Sequence, residues 1–156
     1  MIKRITLSAL LAFSSISLAQ AQDGNLVDFG ETESLTITSA EGQHVFNVEI
    51  ADTDEKQVQG LMFRKSLADD AGMLFEFAEP KVATIWMKNT EISLDILFIR
   101  KNGSIVKIEH SAQPQTLRSA SSEAIVAAVL ELPAGKTQEL GVTAGDIVSH
   151  SFFETN

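Results

Sequence analysis

The sequence predicts a mainly β fold: a compact antiparallel β-sandwich or jelly-roll-like barrel of about eight strands with one short helix. Apolar residues alternate with polar ones, or run together, over short segments that end at turn signals. Helical spacing is clear in one segment alone. Many short strands with turns between them are typical of sandwiches and small barrels. The predicted strands are 35–39, 45–50, 72–77, 82–88, 94–100, 104–110, 125–132 and 146–153.

The predicted helix begins at residues 52–55, where DTDE offers a capping side chain followed by acids in the first turn. Val58, Leu61 and Met62 follow at helical spacing, so we expect one apolar helix face. Asn102 and Gly103 predict a tight hairpin turn between two of the strands. Residues 136–140 predict one further helical turn.

The first residues predict an export signal. Lys3 and Arg4 precede an apolar run over 5–18, and Ala19-Gln20-Ala21 is typical of a signal-peptidase site. The run is shorter than the ~20 residues that a membrane-spanning helix needs, although a retained anchor is the alternative. We therefore expect a signal peptide at 1–21, a flexible lead-in at 22–34 and a single β-sandwich domain at 35–156. The predicted location is periplasmic or secreted.

Composition narrows the classes of partner. The chain has 156 residues, no cysteine and a formal charge of −9. Without cysteine there is no disulfide and no thiolate nucleophile or metal ligand. Scattered acidic residues disfavour nucleic acid, which needs a basic patch, and after signal cleavage no membrane partner is expected. A small polar or cationic molecule is the partner that this charge favours; the oligomeric state stays open.

Residues 60–99 hold the side chains best suited to a functional site. Three methionines (Met62, Met73 and Met87) and the single tryptophan, Trp86, lie there among several polar side chains. Such mixing of large apolar and hydrogen-bonding side chains is unusual for core strands. The methionines allow a copper(I) site, because thioethers are soft ligands. Core filling is the commoner role of methionine, so we predict no cofactor.

Asp95 lies in a strand that is otherwise apolar, so its carboxylate is expected to be buried and to need a partner. Arg64 is the predicted partner, because a guanidinium can hold a carboxylate through two hydrogen bonds. Glu131 ends the apolar face of strand 125–132, so its carboxylate is also expected to be buried and to need a partner. An Arg64–Asp95 pair would either lock the helix onto the sheet or face a ligand.

Trp86, Asn89 and Thr90 come at the end of a predicted strand, beside Lys88. Turn chemistry explains Asn89 and Thr90, since these side chains bond to their own backbone. The functional interpretation is an aromatic platform flanked by hydrogen-bonding groups, which suits small polar ligands. The chain has no GxSxG nucleophile elbow, no zinc-ligand spacing and no glycine-rich phosphate loop.

Seven motifs in order resemble the bacterial and archaeal family called domain of unknown function 192. They are GLMFR (60–64), GMLFEF (72–77), WMKNT (86–90), LDILFI (94–99), NGSIV (102–106), VLELPAG (129–135) and GVTAGD (141–146). The resemblance runs over about 35–153. It implies a jelly-roll-like β-sandwich, often exported, and no established activity. The residues that match these motifs, and hence the predicted ligand-binding residues, are Arg64, Met73, Trp86, Met87, Asn89, Thr90, Asp95 and Glu131.

The leading functional hypothesis is a non-catalytic module that binds a small ligand in a cleft formed by Trp86, Asn89, Thr90 and Asp95, with Arg64 holding the carboxylate. One alternative is an enzyme that uses Asp95 and Glu131 as paired acid and base, which requires both carboxyls in one pocket. A second alternative is a structural or interaction protein of the cell envelope, which would expose an apolar patch.

Overall fold

One curled sheet of seven strands forms the body of the protein. The structure, a computed structural model, describes residues 27–154. The mainly β prediction is confirmed, and strands 72–77 and 82–88 prove to be parts of one long strand. The predicted turn at 136–140 is a second short helix. The elements are β1 (Glu33–Ser39), β2 (Gly42–Ala51), α1 (Asp54–Gln59), β3 (Ala71–Ile85), β4 (Leu94–Ile99), β5 (Ile105–Ala112), β6 (Ala120–Pro133), α2 (Lys136–Glu139) and β7 (Ile147–Ser149).

The strand order is β5-β4-β6-β3-β2-β1-β7. Neighbouring strands are antiparallel except β2 and β3, which are parallel because α1 and the following loop carry the chain across between them. The sheet curls until its two edges meet at one end, where Ser104 bridges Ile147. The fold is therefore barrel-like, a single half-barrel sheet rather than two facing sheets.

Gly103 makes that closure feasible. It has a φ of 80°, as the predicted hairpin turn requires, and its carbonyl accepts a hydrogen bond from Val148 N at 2.8 Å. A Cβ on this residue would lie 2.3 Å from Val148 O. Glycine is therefore needed in this turn for two reasons: the positive φ angle and the close approach of β7.

Apolar side chains pack on both faces of the sheet. The interior cluster takes residues from all seven strands, including Leu35, Phe46, Leu97 and Leu130. The outer cluster lies on the opposite face of β3, β4 and β6. It is covered by segments outside the sheet, and its members include Phe29, Leu61, Met73, Phe75, Met87, Ile96, Phe98 and Val129. Because β4 lies between the two clusters, all six of its residues are buried, as a central strand requires.

Helix α1 is capped as the sequence predicts, since Thr53 Oγ1 accepts a hydrogen bond from Lys56 N at 3.3 Å. The predicted apolar helix face is wrong. The helix ends at Gln59, no residue of it is buried, and Val58 is 73% exposed. Leu61 alone of the expected three is buried, and it follows the helix.

The predicted signal peptide, residues 1–21, and residues 22–26 of the predicted lead-in lie outside the described residues. In the rest of that lead-in, Val27 N donates to Gln59 Oε1 at 2.9 Å and Phe29 is buried in the outer cluster. At the other end, the predicted strand 146–153 shortens to β7. No helix within 27–154 has the length and apolar character needed to cross a membrane.

Candidate functional site

Asp95 is fully buried in β4, and four N–H and O–H donors hold its carboxylate. Oδ1 accepts hydrogen bonds from the backbone N–H groups of Ser111 (2.9 Å) and Gly135 (3.0 Å). Oδ2 accepts from the backbone N–H (2.9 Å) and the hydroxyl (2.6 Å) of Thr137. Burial raises the pKa of Asp95, but these donors outweigh it, and the pKa is held below its ordinary value. The predicted need for a partner is met, but by Thr137 and the backbone.

The prediction that Arg64 neutralises Asp95 is wrong. Arg64 Nη2 lies 2.6 Å from Glu49 Oε2 on β2, and its guanidinium lies 5.7 Å from the centroid of the Phe29 ring. The two charged side chains are 31% and 22% exposed, so the pair contributes little to stability. Arg64 and Glu49 line a separate cavity of about 280 Å³ beside Phe29.

Thr137 extends the Asp95 network to the surface of β5. Its hydroxyl gives its one proton to Asp95, so it accepts from His110 Nδ1, which lies 3.0 Å away. This hydrogen bond assigns the Nδ1–H tautomer to His110. The network joins β4, β5 and α2 and satisfies the carboxylate internally. Asp95 is therefore part of the scaffold.

Asp95 and Glu131 lie on opposite faces of the sheet. Alternation along β4 puts Asp95 with Leu97 on the interior face, whereas alternation along β6 puts Glu131 with Val129 on the outer face. The structure thus contradicts the hypothesis of one acid–base pair made by these two carboxyls, because they do not open on one pocket.

A cleft between α1 and β3 opens on the outer face of the sheet. Its outer part has a volume of about 810 Å³, and its inner part, about 110 Å³, continues toward the sheet. Val58 and Trp86 border both parts and are 73% and 56% exposed, so apolar surface is open to solvent there. The residues common to both parts are Gln57, Val58, Met62, Phe75, Thr84, Ile85 and Trp86.

Glu131 lines the inner end of this cleft. Its side chain comes from β6, where its backbone pairs with Met73 and Ile96 of the neighbouring strands. The residue is 5% exposed, and within residues 27–154 no hydrogen bond or ion pair reaches its carboxyl. Burial raises the pKa of Glu131 to about 8. At neutral pH the carboxyl is therefore mostly protonated.

Gln57, Gln59, Thr84 and Thr90 supply the other polar side chains of the inner part. Gln57 Nε2 donates to Ala51 O (3.1 Å) and Glu76 O (2.7 Å), which fixes the orientation of the amide. Within residues 27–154, Gln57 Oε1 accepts no hydrogen bond. Thr84 and Thr90 add hydroxyl groups, and no Lys, Arg or His is among the lining residues.

Two lysine side chains at the outer part of the cleft lie over aromatic rings. Lys81 Nζ is 4.1 Å from the centroid of Phe77, and Lys88 Nζ is 5.6 Å from the centroid of Trp86. Both distances fall within the range of cation–π contacts. The aromatic surface of this cleft therefore already contacts ammonium groups.

Residues 86–90 form a turn, as the turn interpretation of Asn89 and Thr90 predicts. Thr90 N donates to Met87 O at 3.1 Å, and Asn89 has a φ of 57°. The Asn89 carbonyl accepts from Phe63 N at 2.8 Å, which ties the turn to the segment after α1. This contact sets one wall of the cleft, because it holds Trp86 opposite the helix.

Half of the predicted site residues border the cleft. Trp86, Thr90 and Glu131 line its inner part, and Asn89 lines its outer part. Met73 and Met87 are buried in the outer cluster, the position that core filling predicts. Within 27–154, no three His, Asp or Glu side chains are grouped to hold a metal ion.

Sequence reasoning missed six of the seven residues common to both parts of the cleft: Gln57, Val58, Met62, Phe75, Thr84 and Ile85. Val58 had a signal in its helical spacing with Met62, but that spacing predicted a buried face rather than the wall of a cleft. Gln57, Phe75 and Thr84 carry no signal in the sequence, because the cleft depends on how α1 crosses over β3.

Comparison with known proteins gives a family but no activity. The sequence model of the domain of unknown function 192 family, described as "Uncharacterized ACR", matches residues 36–150. No curated protein matches the chain. Among solved structures, a protein of unknown function from Novosphingobium aromaticivorans DSM 12444 is 38% identical with a TM-score of 0.75, over 76% of this chain and 85% of that one. A protein from Sinorhizobium meliloti 1021, described as a proposed transcription regulator, is 39% identical with a TM-score of 0.76, over 80% of this chain and 97% of that one.

Proposed function

We propose that this chain, which belongs to the domain of unknown function 192 family, binds a small molecule in the α1–β3 cleft without transforming it. One observation carries the proposal: the buried carboxyl of Glu131 has no partner within the described residues, and it lies at the inner end of a cleft that opens to solvent. An unpaired buried polar group costs free energy, which a ligand with a complementary group would recover.

The walls of the cleft support a ligand with an apolar body. Phe75, Ile85 and Trp86 line the cleft beside the aliphatic side chain of Val58. A concave surface of this kind, with a few polar groups at its end, is typical of small-molecule sites. Glu131 replaces Asp95 as the polar anchor of the predicted cleft.

Binding without catalysis is favoured because Glu131 is the one carboxyl that lines the inner part of the cleft. Asp54 lines the outer part, but a paired acid and base would have to reach the same substrate atom. No serine or histidine is among the lining residues of either part.

The Sinorhizobium meliloti protein is described as a proposed transcription regulator, but the charge of this chain argues against nucleic acid as its partner. With 21 acidic and 12 basic residues, the chain carries a formal charge of −9. Phosphate contacts need clustered Lys and Arg, so this charge disfavours nucleic acid.

We further propose that the protein binds its ligand in the periplasm or outside the cell, because residues 1–21 have the pattern of an export signal.

The experiment that tests the proposal uses Trp86 as the reporter, since the protein has one tryptophan and no tyrosine. The purified protein is titrated with short amines, alcohols, monosaccharides and carboxylates while Trp86 fluorescence and the melting temperature are recorded. At concentrations of about 10 mM even ligands with a Kd near 1 mM would be detected. We expect at least one class to change both readings.

A matched pair of variants assigns any binding to the cleft. Val58→Lys places a long charged side chain over the cleft, and Val45→Lys makes the same change at a 60% exposed valine of β2 that does not line it. We expect Val58→Lys to weaken binding about tenfold or more, and Val45→Lys to leave it within about twofold. Equal binding by both variants, or no response to any compound, would overturn the proposal.

An exposed apolar patch favours a second candidate function, that of an interaction protein. Val82 and Ile125 are paired across β3 and β6 and are 56% and 65% exposed. Such a patch can bury itself against another protein. Sedimentation of the protein alone and of a Val82→Lys variant tests this candidate; a monomer in both cases, together with ligand binding in the cleft, would favour the binding module.

A further inference from the structure

We infer that the ligand of the α1–β3 cleft carries a single ammonium group, which the Glu131 carboxylate binds at the inner end, and an apolar body. This inference rests on the proposed binding function and adds the chemical class of the ligand to it. Four observations lead to it: the polar atoms of the inner part, the aromatic contacts of two lysines, the charges of the rim and the burial of Glu131.

The inner part of the cleft offers several acceptors to a ligand. Its polar side chains are Glu131, Gln57, Gln59, Thr84 and Thr90; Gln57 Oε1 accepts no hydrogen bond within residues 27–154, whereas Gln59 Oε1 already accepts from Val27 N. No basic side chain is among the lining residues, so an anionic ligand group would meet a carboxyl with nothing to neutralise it. An ammonium group has three N–H donors and no acceptor, which complements this set.

The aromatic surface leading to Glu131 accommodates cations already. Lys81 and Lys88 place their ammonium groups over Phe77 and Trp86, at 4.1 Å and 5.6 Å from the ring centroids. Because these lysines already cover the ring faces, the aromatic surface is left to the apolar body of the ligand, and the ligand ammonium pairs with Glu131 instead. The apolar body of the ligand can then pack between Trp86 and the helix.

The same two lysines limit the ligand to one positive charge. They line the outer part of the cleft, where Asp54 is the single acidic residue of the lining. A second ammonium on the ligand would remain among these groups and meet net repulsion. Diamines are therefore expected to bind more weakly than a monoamine of the same size.

Binding by this route releases a proton. In the free protein the Glu131 carboxyl is protonated at neutral pH because burial raises its pKa. An incoming ammonium group favours the carboxylate form of Glu131. The carboxyl proton therefore passes to solvent while the ammonium group keeps its three protons, and the bound pair is neutral.

The charged side chains around the cleft are Asp54 from α1, Lys81 from β3 and Lys88 from the turn. Asp95 of β4 lies on the other face of the sheet.

The test compares phenethylamine with phenethyl alcohol, which has nearly the same shape but no charge. Dissociation constants are measured through Trp86 fluorescence for the wild-type protein and for Glu131→Gln, which keeps the shape of the side chain. We expect the wild type to bind the amine about tenfold or more tightly than the alcohol, and Glu131→Gln to bind the two within about twofold. Calorimetry of the wild type in phosphate and in HEPES, two buffers without a primary ammonium group, should report proton release with the amine alone.

Dependence on pH gives a measurement on the wild type that does not require any variant to fold. Affinity for the amine should rise from pH 6 to pH 8, as the carboxyl loses its proton more easily, whereas affinity for the alcohol should stay flat or fall. Equal affinity for amine and alcohol, or a flat pH profile for the amine, would overturn the inference and leave cleft binding intact. If Val58→Lys does not weaken amine binding, the ligand lies elsewhere and the proposed function fails with the inference.

Discussion

Replacing Asp95 by asparagine should destabilise the fold and leave the cleft unaffected. The change keeps Oδ1, which accepts from Ser111 N and Gly135 N, and replaces Oδ2 by an NH₂ group that faces the N–H and hydroxyl of Thr137. Two hydrogen bonds to a charged acceptor are lost, at about 1.5–3 kcal/mol each, and about 1 kcal/mol returns if the Thr137 hydroxyl rotates to accept from the new amide. The expected loss in the free energy of unfolding is therefore about 2–5 kcal/mol.

Urea denaturation followed by circular dichroism measures this loss, and its pH dependence identifies the cause. The pKa of folded Asp95 lies below its ordinary value of 3.8, so the stability that the ionised group contributes is present above that pH. It is lost as the pH falls through the folded pKa, so wild type and Asp95→Asn should converge in acid. Thr137→Val is the matched control, because it removes the hydroxyl donor and keeps the backbone one. A loss below about 1 kcal/mol at pH 7, or a loss of ligand binding in a stable Asp95→Asn protein, would refute the reasoning.

Three further predictions concern Glu131, Gly72 and Trp86. Glu131→Gln should raise the free energy of unfolding at pH 7 by about 3 kcal/mol, since the unfolded carboxyl ionises above pH 4.5 while the folded one, with a pKa of about 8, stays protonated. Denaturation at pH 5 and pH 8 checks the sign: the gain must grow with pH and level off above the folded pKa, and a constant gain contradicts it. Gly72→Ala should cost about 1–3 kcal/mol by thermal unfolding, because its Cβ would lie 2.8 Å from both Glu131 O and a side-chain atom of Leu132; a neutral result would mean that the two strands can separate. Trp86→Ala should change stability by less than about 1 kcal/mol, since Trp86 is 56% exposed, while removing the binding signal and weakening binding measured by calorimetry; unfolding would place Trp86 in the scaffold.

Local signals in the sequence predicted much of the fold. The alternation in 45–50, the apolar run LDILFI and the turn at Gly103 each depend on neighbouring residues alone, and each element is present. The long strand β3 was predicted as two strands because it carries a register shift between Glu76 and Lys81, where exposed residues interrupt the apolar pattern. The parallel pairing of β2 and β3 follows from the path of α1 over the sheet, which no short-range pattern encodes.

The sequence predicts several residues that line the cleft, but it assigns the ligand-facing carboxyl to the wrong residue. Trp86, Thr90 and Glu131 were all named, and they lie together in the cleft. The sequence predicts Asp95 as the ligand-facing carboxylate because a buried charge needs a partner, and Arg64 is a charged side chain that could supply it. Backbone N–H groups meet that demand instead, and every residue except proline has one, so the sequence could not distinguish Asp95 from Glu131.

The two buried carboxyls show why one belongs to the scaffold and the other to the proposed site. Asp95 accepts four hydrogen bonds, so a ligand could bind it only by displacing donors that the fold already supplies. Glu131 has a similar burial, no donor within the described residues and an opening to solvent through the cleft. Because a ligand gains most where the protein has left a polar group unpaired, the free energy lost in burying Glu131 can be recovered on binding, and the same exchange makes that binding dependent on pH. The stability gained by Glu131→Gln and amine binding by the wild type both depend on the free energy of ionising the buried Glu131 carboxyl. Both should therefore change with pH over the same range.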